Sequence, residues 1–84
     1  MPLVIILFLF LPFEILNSME EYFLTLRNDK VNLRQGPSFD YPVKIFYKKK
    51  FLPVLIQDQS DNFRKVRDHE NNSGWIHISQ LSKK

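Results

Sequence analysis

His69 and His77 are the only imidazoles in the chain, and the carboxylates of Asp68 and Glu70 are the side chains best placed to join them in chemistry. A metal site needs donors at set spacing. Two histidines eight residues apart, one in a loop and one in a strand, match no zinc arrangement. Cysteine is absent, which removes thiolate ligands, thiol nucleophiles and disulfides together. No serine stands in a G-x-S-x-G setting that would expose it as a nucleophile beside a base. The sequence therefore predicts no enzyme, no cofactor and no metal site, and it reads both histidines as surface residues.

Two other residue classes can bind without reacting. Lys48-Lys49-Lys50 is a cationic run, to which Arg64, Lys65 and Arg67 add charge. A basic groove interleaved with stacking rings can hold nucleic acid. Three lysines in a turn more simply make a solvated loop that discourages strand-edge pairing, and after that a contact for anionic wall polymer or lipid headgroups. The aromatic residues Phe39, Tyr41, Phe63 and Trp75 fall around expected loops and on strand faces opposite the expected core. Flat rings bury area at small ordering cost, which suits a groove for extended peptides. Each ring singly could instead cover the end of a small barrel. As a set, the four form the expected ligand site, with Arg34, Lys65 and Arg67 as basic contacts.

These side chains must be held by a small scaffold. The chain has 84 residues, enough for one domain. Its apolar residues are unevenly placed: residues 1–18 hold 13 of them and no Lys or Arg, while all twelve basic groups lie in residues 19–84. Leu3 to Leu11 is an unbroken apolar run, and Ser18 supplies a small residue for cleavage, the pattern of a secretory signal. The stretch Leu3 to Leu16 is short for a membrane span and is interrupted by Pro12 and Glu14. The expectation is a signal peptide over 1–18, with an uncleaved anchor as the alternative, and a domain over 19–84. Location is then periplasmic or secreted. A membrane is a partner only if residues 1–18 stay attached, and nucleic acid is not one.

Beyond Tyr22 there is no sustained helical period. Short alternating runs at Tyr22–Arg27, Val43–Tyr47, Leu52–Gln57, Phe63–Arg67 and Trp75–Ile78 read as strands, separated by turn-rich stretches. Alternation sends neighbours to opposite faces. It selects Leu26, Val31, Leu33, Val43, Ile45, Leu52, Val54, Ile56, Val66, Ile76, Ile78 and Leu81 as one core. Phe63, Lys65, Arg67, Trp75 and His77 fall on the other face. Pro53, which lacks an N–H, belongs at a strand start or on an edge. Gly36 and Gly74 are expected at turns, the latter in a left-handed or bulged conformation.

The order of short motifs adds a resemblance. Val31-Asn-Leu-Arg34, Gly36-Pro-Ser38, Tyr41-Pro-Val43, the lysine run, Leu52-Pro-Val54, Asn62-Phe-Arg-Lys-Val-Arg67 and Gly74-Trp-Ile-His77 with Leu81 succeed one another at matching spacing. This succession resembles the bacterial SH3-like (SH3b) domain family over about residues 22–82. Asn32, Leu33, Arg34, Gly36, Pro37, Val66, Gly74, Trp75 and Ile76 fit the pattern. Phe63 departs from it, because the family commonly has Trp there, so an indole N–H is missing. The resemblance implies an all-β fold, a small SH3-like barrel of five to six short antiparallel strands. It also implies a noncatalytic envelope module that binds peptidoglycan or its peptides, or else an adaptor for an envelope protein.

Overall fold

In the computed structural model, which describes residues 20–83, each of the five alternating runs is a strand. They are β1 (Tyr22–Leu26), β3 (Val43–Tyr47), β4 (Pro53–Ser60), β5 (Phe63–Arg67) and β6 (Ser73–His77). Two shorter strands join them, β2 (Val31–Arg34) and β7 (Leu81–Ser82), with a single 3-10 turn at Ile78–Gln80. The signal peptide or anchor expected over 1–18 lies outside the described residues.

All seven strands belong to one antiparallel sheet in the order β3-β2-β6-β5-β4-β1-β7. The sheet coils on itself, because Tyr47 from one end strand and Leu81 from the other are buried in the same cluster. Leu26, Val31, Leu33, Val54, Ile56, Val66 and Ile76 complete that cluster, each fully buried. The result is a small SH3-like barrel. Its extra strand beyond the expected five to six is β7, two residues long, which seats Leu81 against Leu26.

Some expected core positions differ. Ile78 is exposed, because the chain leaves the sheet after His77 and the 3-10 turn carries Ile78 outward. Val43, Ile45 and Leu52 are half-buried at the edge of the core. Tyr47 takes an interior place that alternation from Val43 and Ile45 already indicates. Pro53 opens β4, where its missing donor costs little.

Gly36 lies in the bend that follows β2, as expected of a turn residue, whereas Gly74 departs from its expected turn. Neither has positive φ. Gly74 lies inside β6, and a Cβ there would sit 2.7 Å from the Arg34 carbonyl and from Leu33. Close approach of β2 to β6 thus demands glycine, and the left-handed turn residue of that loop is Asn71, φ 69°. Gly36 lies beneath the Tyr41 ring, which a Cβ would strike.

Candidate functional site

The strand registers place the predicted site residues on the outer face of the sheet. Phe63 pairs with His77 and Lys65 with Trp75, while Trp75 is also opposite Arg34 on β2. Trp75 is therefore flanked across the sheet by one cation on each side. Facing residues in adjacent strands have neighbouring side chains, so an indole and two basic groups share one strip of surface.

One row along, the rings stack. Phe39, from the loop between β2 and β3, packs at 5.1 Å edge-on to Phe63 and at 5.0 Å in stacked fashion on His77. Phe63 and His77 meet edge-on at 5.1 Å. Phe63 does point away from the core, as expected, yet it is only 6% exposed. It serves as the floor of the cluster, and Phe39, 63% exposed, offers the ring face a ligand would meet. Pro37, Ser38, Asp61 and Asn62 surround these rings in an open hollow of about 330 Å³.

Arg34 holds this loop in place. Its guanidinium donates to the carbonyl oxygens of Tyr41 at 2.9 Å and Phe39 at 3.3 Å, and lies 5.3 Å from the centre of the Phe39 ring. A planar cation with several donors can fasten two carbonyls and cover a ring at once. Tyr41 sits on the outside of the same loop over Gly36, and Arg67 lines a separate hollow with Phe23, Pro53, Leu55 and His69. The structure thus gathers Phe39, Phe63, Trp75, Arg34 and Lys65 on one face and leaves Tyr41 and Arg67 at its margins.

His77 joins the site although its sequence setting marks it only as a surface residue. Its Nδ1 accepts from the Ser79 backbone N–H at 3.1 Å, which caps the 3-10 turn. With Nδ1 accepting, the neutral ring carries its proton on Nε2, the edge left to donate. Register opposite Phe63 was the available signal, since a side chain facing a site residue across a ladder shares its surface.

A second polar centre is built on Asp68, which the sequence offers only as a companion to the histidines and not as a partner of Tyr47. Asp68 is buried and accepts from the Tyr47 hydroxyl at 2.7 Å, the Asn72 side chain at 3.1 Å, and the backbone N–H groups of Glu70 and Asn72, both at 2.9 Å. Burial opposes its charge, but these four hydrogen bonds outweigh it and hold the carboxyl below its ordinary value. Burial first, then the Asp68 hydrogen bond and charge, push the Tyr47 hydroxyl well above its ordinary range. An open hollow of about 490 Å³ lies beside this pair, lined in part by Ile45, Leu52, Pro53 and Lys49. None of the predicted site residues reaches it. The pair closes the loop from Asp68 to Asn72 and is structural in kind.

Among the described residues no group of three or more His, Cys, Asp or Glu side chains could hold a metal ion. A cluster of rings with flanking cations and one imidazole donor can bind a flat or extended ligand by contact and hydrogen bonding. The family model described as "Bacterial SH3 domain" matches residues 27–83. No curated protein and no solved structure matches the chain.

Proposed function

Because the chain belongs to the bacterial SH3 domain family, we propose that it is a noncatalytic binding module of the cell envelope, with peptidoglycan or its stem peptides as ligand. Bacterial SH3 domains are generally binding modules and often serve at the cell wall. The observation that carries the reading is the outer face itself: an exposed Phe39 braced on buried Phe63 and His77, beside Trp75 between Arg34 and Lys65. Rings supply contact area to a peptide backbone, and the cations attract its carboxylates. The leader-like residues 1–18 support export to the periplasm or beyond, where such a ligand is found.

Purified sacculi freed of protein test this directly. The chain is expected to sediment with them, and Phe39→Ala and Trp75→Ala are each expected to weaken retention by about tenfold, the loss of one well-packed aromatic contact. Wild-type retention by both variants, with melting curves preserved, would refute the site.

A second reading is an adaptor that binds an envelope protein. It is favoured by β3, which has a ladder partner on only one side and can accept an added strand. Retention only on sacculi that keep their proteins selects it.

A further inference from the structure

Charge is not spread evenly over the barrel. Residues 20–83 carry eleven basic and eight acidic groups. The end formed by residues 27–30 and 48–50 holds five of the bases, Arg27, Lys30, Lys48, Lys49 and Lys50, and one acid, Asp29. Asp68 and Glu70 border the hollow that Lys49 lines; counted with them this end holds five bases and three acids, a net +2, against +1 for the six bases and five acids of the remainder.

Topology brings the two segments together. Val31 pairs with Tyr47, so Lys30 and Lys48 follow on directly from the end of the β2–β3 ladder, and both border a shallow hollow with Phe46. The Phe51 N–H donates to the Leu26 carbonyl at 2.8 Å, tying the β3–β4 loop to the end of β1.

Two phenylalanines stand out among these cations. Phe46 is 67% and Phe51 62% exposed. Phe51 has φ 71°, a left-handed conformation that a bulky side chain adopts only at a cost. The Lys50 ammonium lies 5.2 Å from the centre of its ring. An exposed ring kept on a strained backbone at a loop tip is a feature whose cost is met by use elsewhere.

We infer that this end of the barrel docks on an anionic lipid bilayer, with Lys30, Lys48, Lys49 and Lys50 against the headgroups and Phe51 and Phe46 entering the boundary of the acyl region. Charge complementarity selects an anionic surface. The projecting rings select a bilayer over a soluble polyanion, because a phosphate polymer offers apolar side chains nothing, whereas the interface rewards their burial. Nucleic acid would need rings lining a groove, and these project from a strand face and a loop tip. The aromatic face around Trp75 is a different surface, so this inference goes beyond the wall-binding reading.

The test is sedimentation of the full chain with vesicles of phosphatidylcholine alone and of phosphatidylcholine with phosphatidylglycerol. Residues 1–18 are apolar, and Glu14 offsets the charge of the amino terminus, so their contribution does not favour the anionic vesicles, and the ratio of the two partition coefficients reads the basic end. That ratio is expected to be large at low salt and to collapse at high salt. Replacing Lys48, Lys49 and Lys50 together by Gln is expected to lower it by at least about tenfold. Phe51→Gly, which removes the ring and relieves the backbone, is expected to keep the fold and to weaken anionic-vesicle binding several-fold. Equal partition of the wild type between the vesicles, or an unchanged ratio in the lysine variant, overturns the proposal. So does a Phe51→Gly chain that binds like the wild type, or a wild-type chain that prefers a single-stranded oligonucleotide to the vesicles.

Discussion

Asp68 shows how one buried charge can tie a loop to a barrel and give stability a pH window. Its carboxyl is held below the ordinary 3.8 by hydrogen bonds that overcome burial, so in acid the unfolded chain takes up the proton first. The stabilisation is present above that ordinary value and disappears as pH falls through the folded one. Tyr47 works in the opposite sense. Its hydroxyl is raised above 10.0, so stability is present below that value and declines as pH rises beyond it. Urea unfolding across the pH range is expected to show a plateau between these limits and a fall at each end. Tyr47→Phe should flatten the alkaline fall and lower the plateau by about 1–2 kcal/mol, the cost of one buried hydrogen bond to a charged acceptor. An alkaline fall that persists unchanged in this variant would place its origin elsewhere.

Elements explain how far the sequence could be read. Alternation decides which face a side chain takes, and it placed Leu33, Val54, Ile56, Val66 and Ile76 inside and Phe63, Lys65 and Trp75 outside. It does not decide what covers the outer face. Phe63 is buried because Phe39, 24 residues earlier and in a loop, folds over it, and no local pattern reports a partner so distant in sequence. Ile78 failed for a related reason: the period of two ends where His77 caps a 3-10 turn, and the capping ring is indistinguishable from any other exposed histidine before the turn exists. The glycine at 74 was legible as necessary but not for its cause, which is the approach of a second strand. Gly74→Ala is accordingly expected to destabilise by about 1–3 kcal/mol through overpacking between β2 and β6, lowering the melting temperature by several degrees. Were the cause a left-handed backbone, Gly74→Asn would be tolerated better than Ala; close packing predicts that it is tolerated worse.

At the level of the whole molecule, a core this small leaves little reserve, about 3–5 kcal/mol of net stability. Leu81, on the two-residue β7, is 4% exposed and joins the chain's last described strand to the cluster. Leu81→Ala is expected to cost about 2–4 kcal/mol and to leave a large unfolded fraction at room temperature, visible as a shifted baseline in circular dichroism. The dependence arises because both end strands of the sheet, β3 and β7, send residues into the same cluster.

The pairing that seats Leu81 has a further consequence. Thr25 is opposite Ser82 and Leu26 opposite Leu81, so the first and last strands lie side by side and antiparallel. Tyr22 and Lys83 even border one hollow. In connectivity the barrel is nearly a ring, whose start and finish a few residues would join. The same fold could be reopened at another loop, such as that at Asp61, or set as a whole within a loop of a larger host chain, entering and leaving at a single point on its surface.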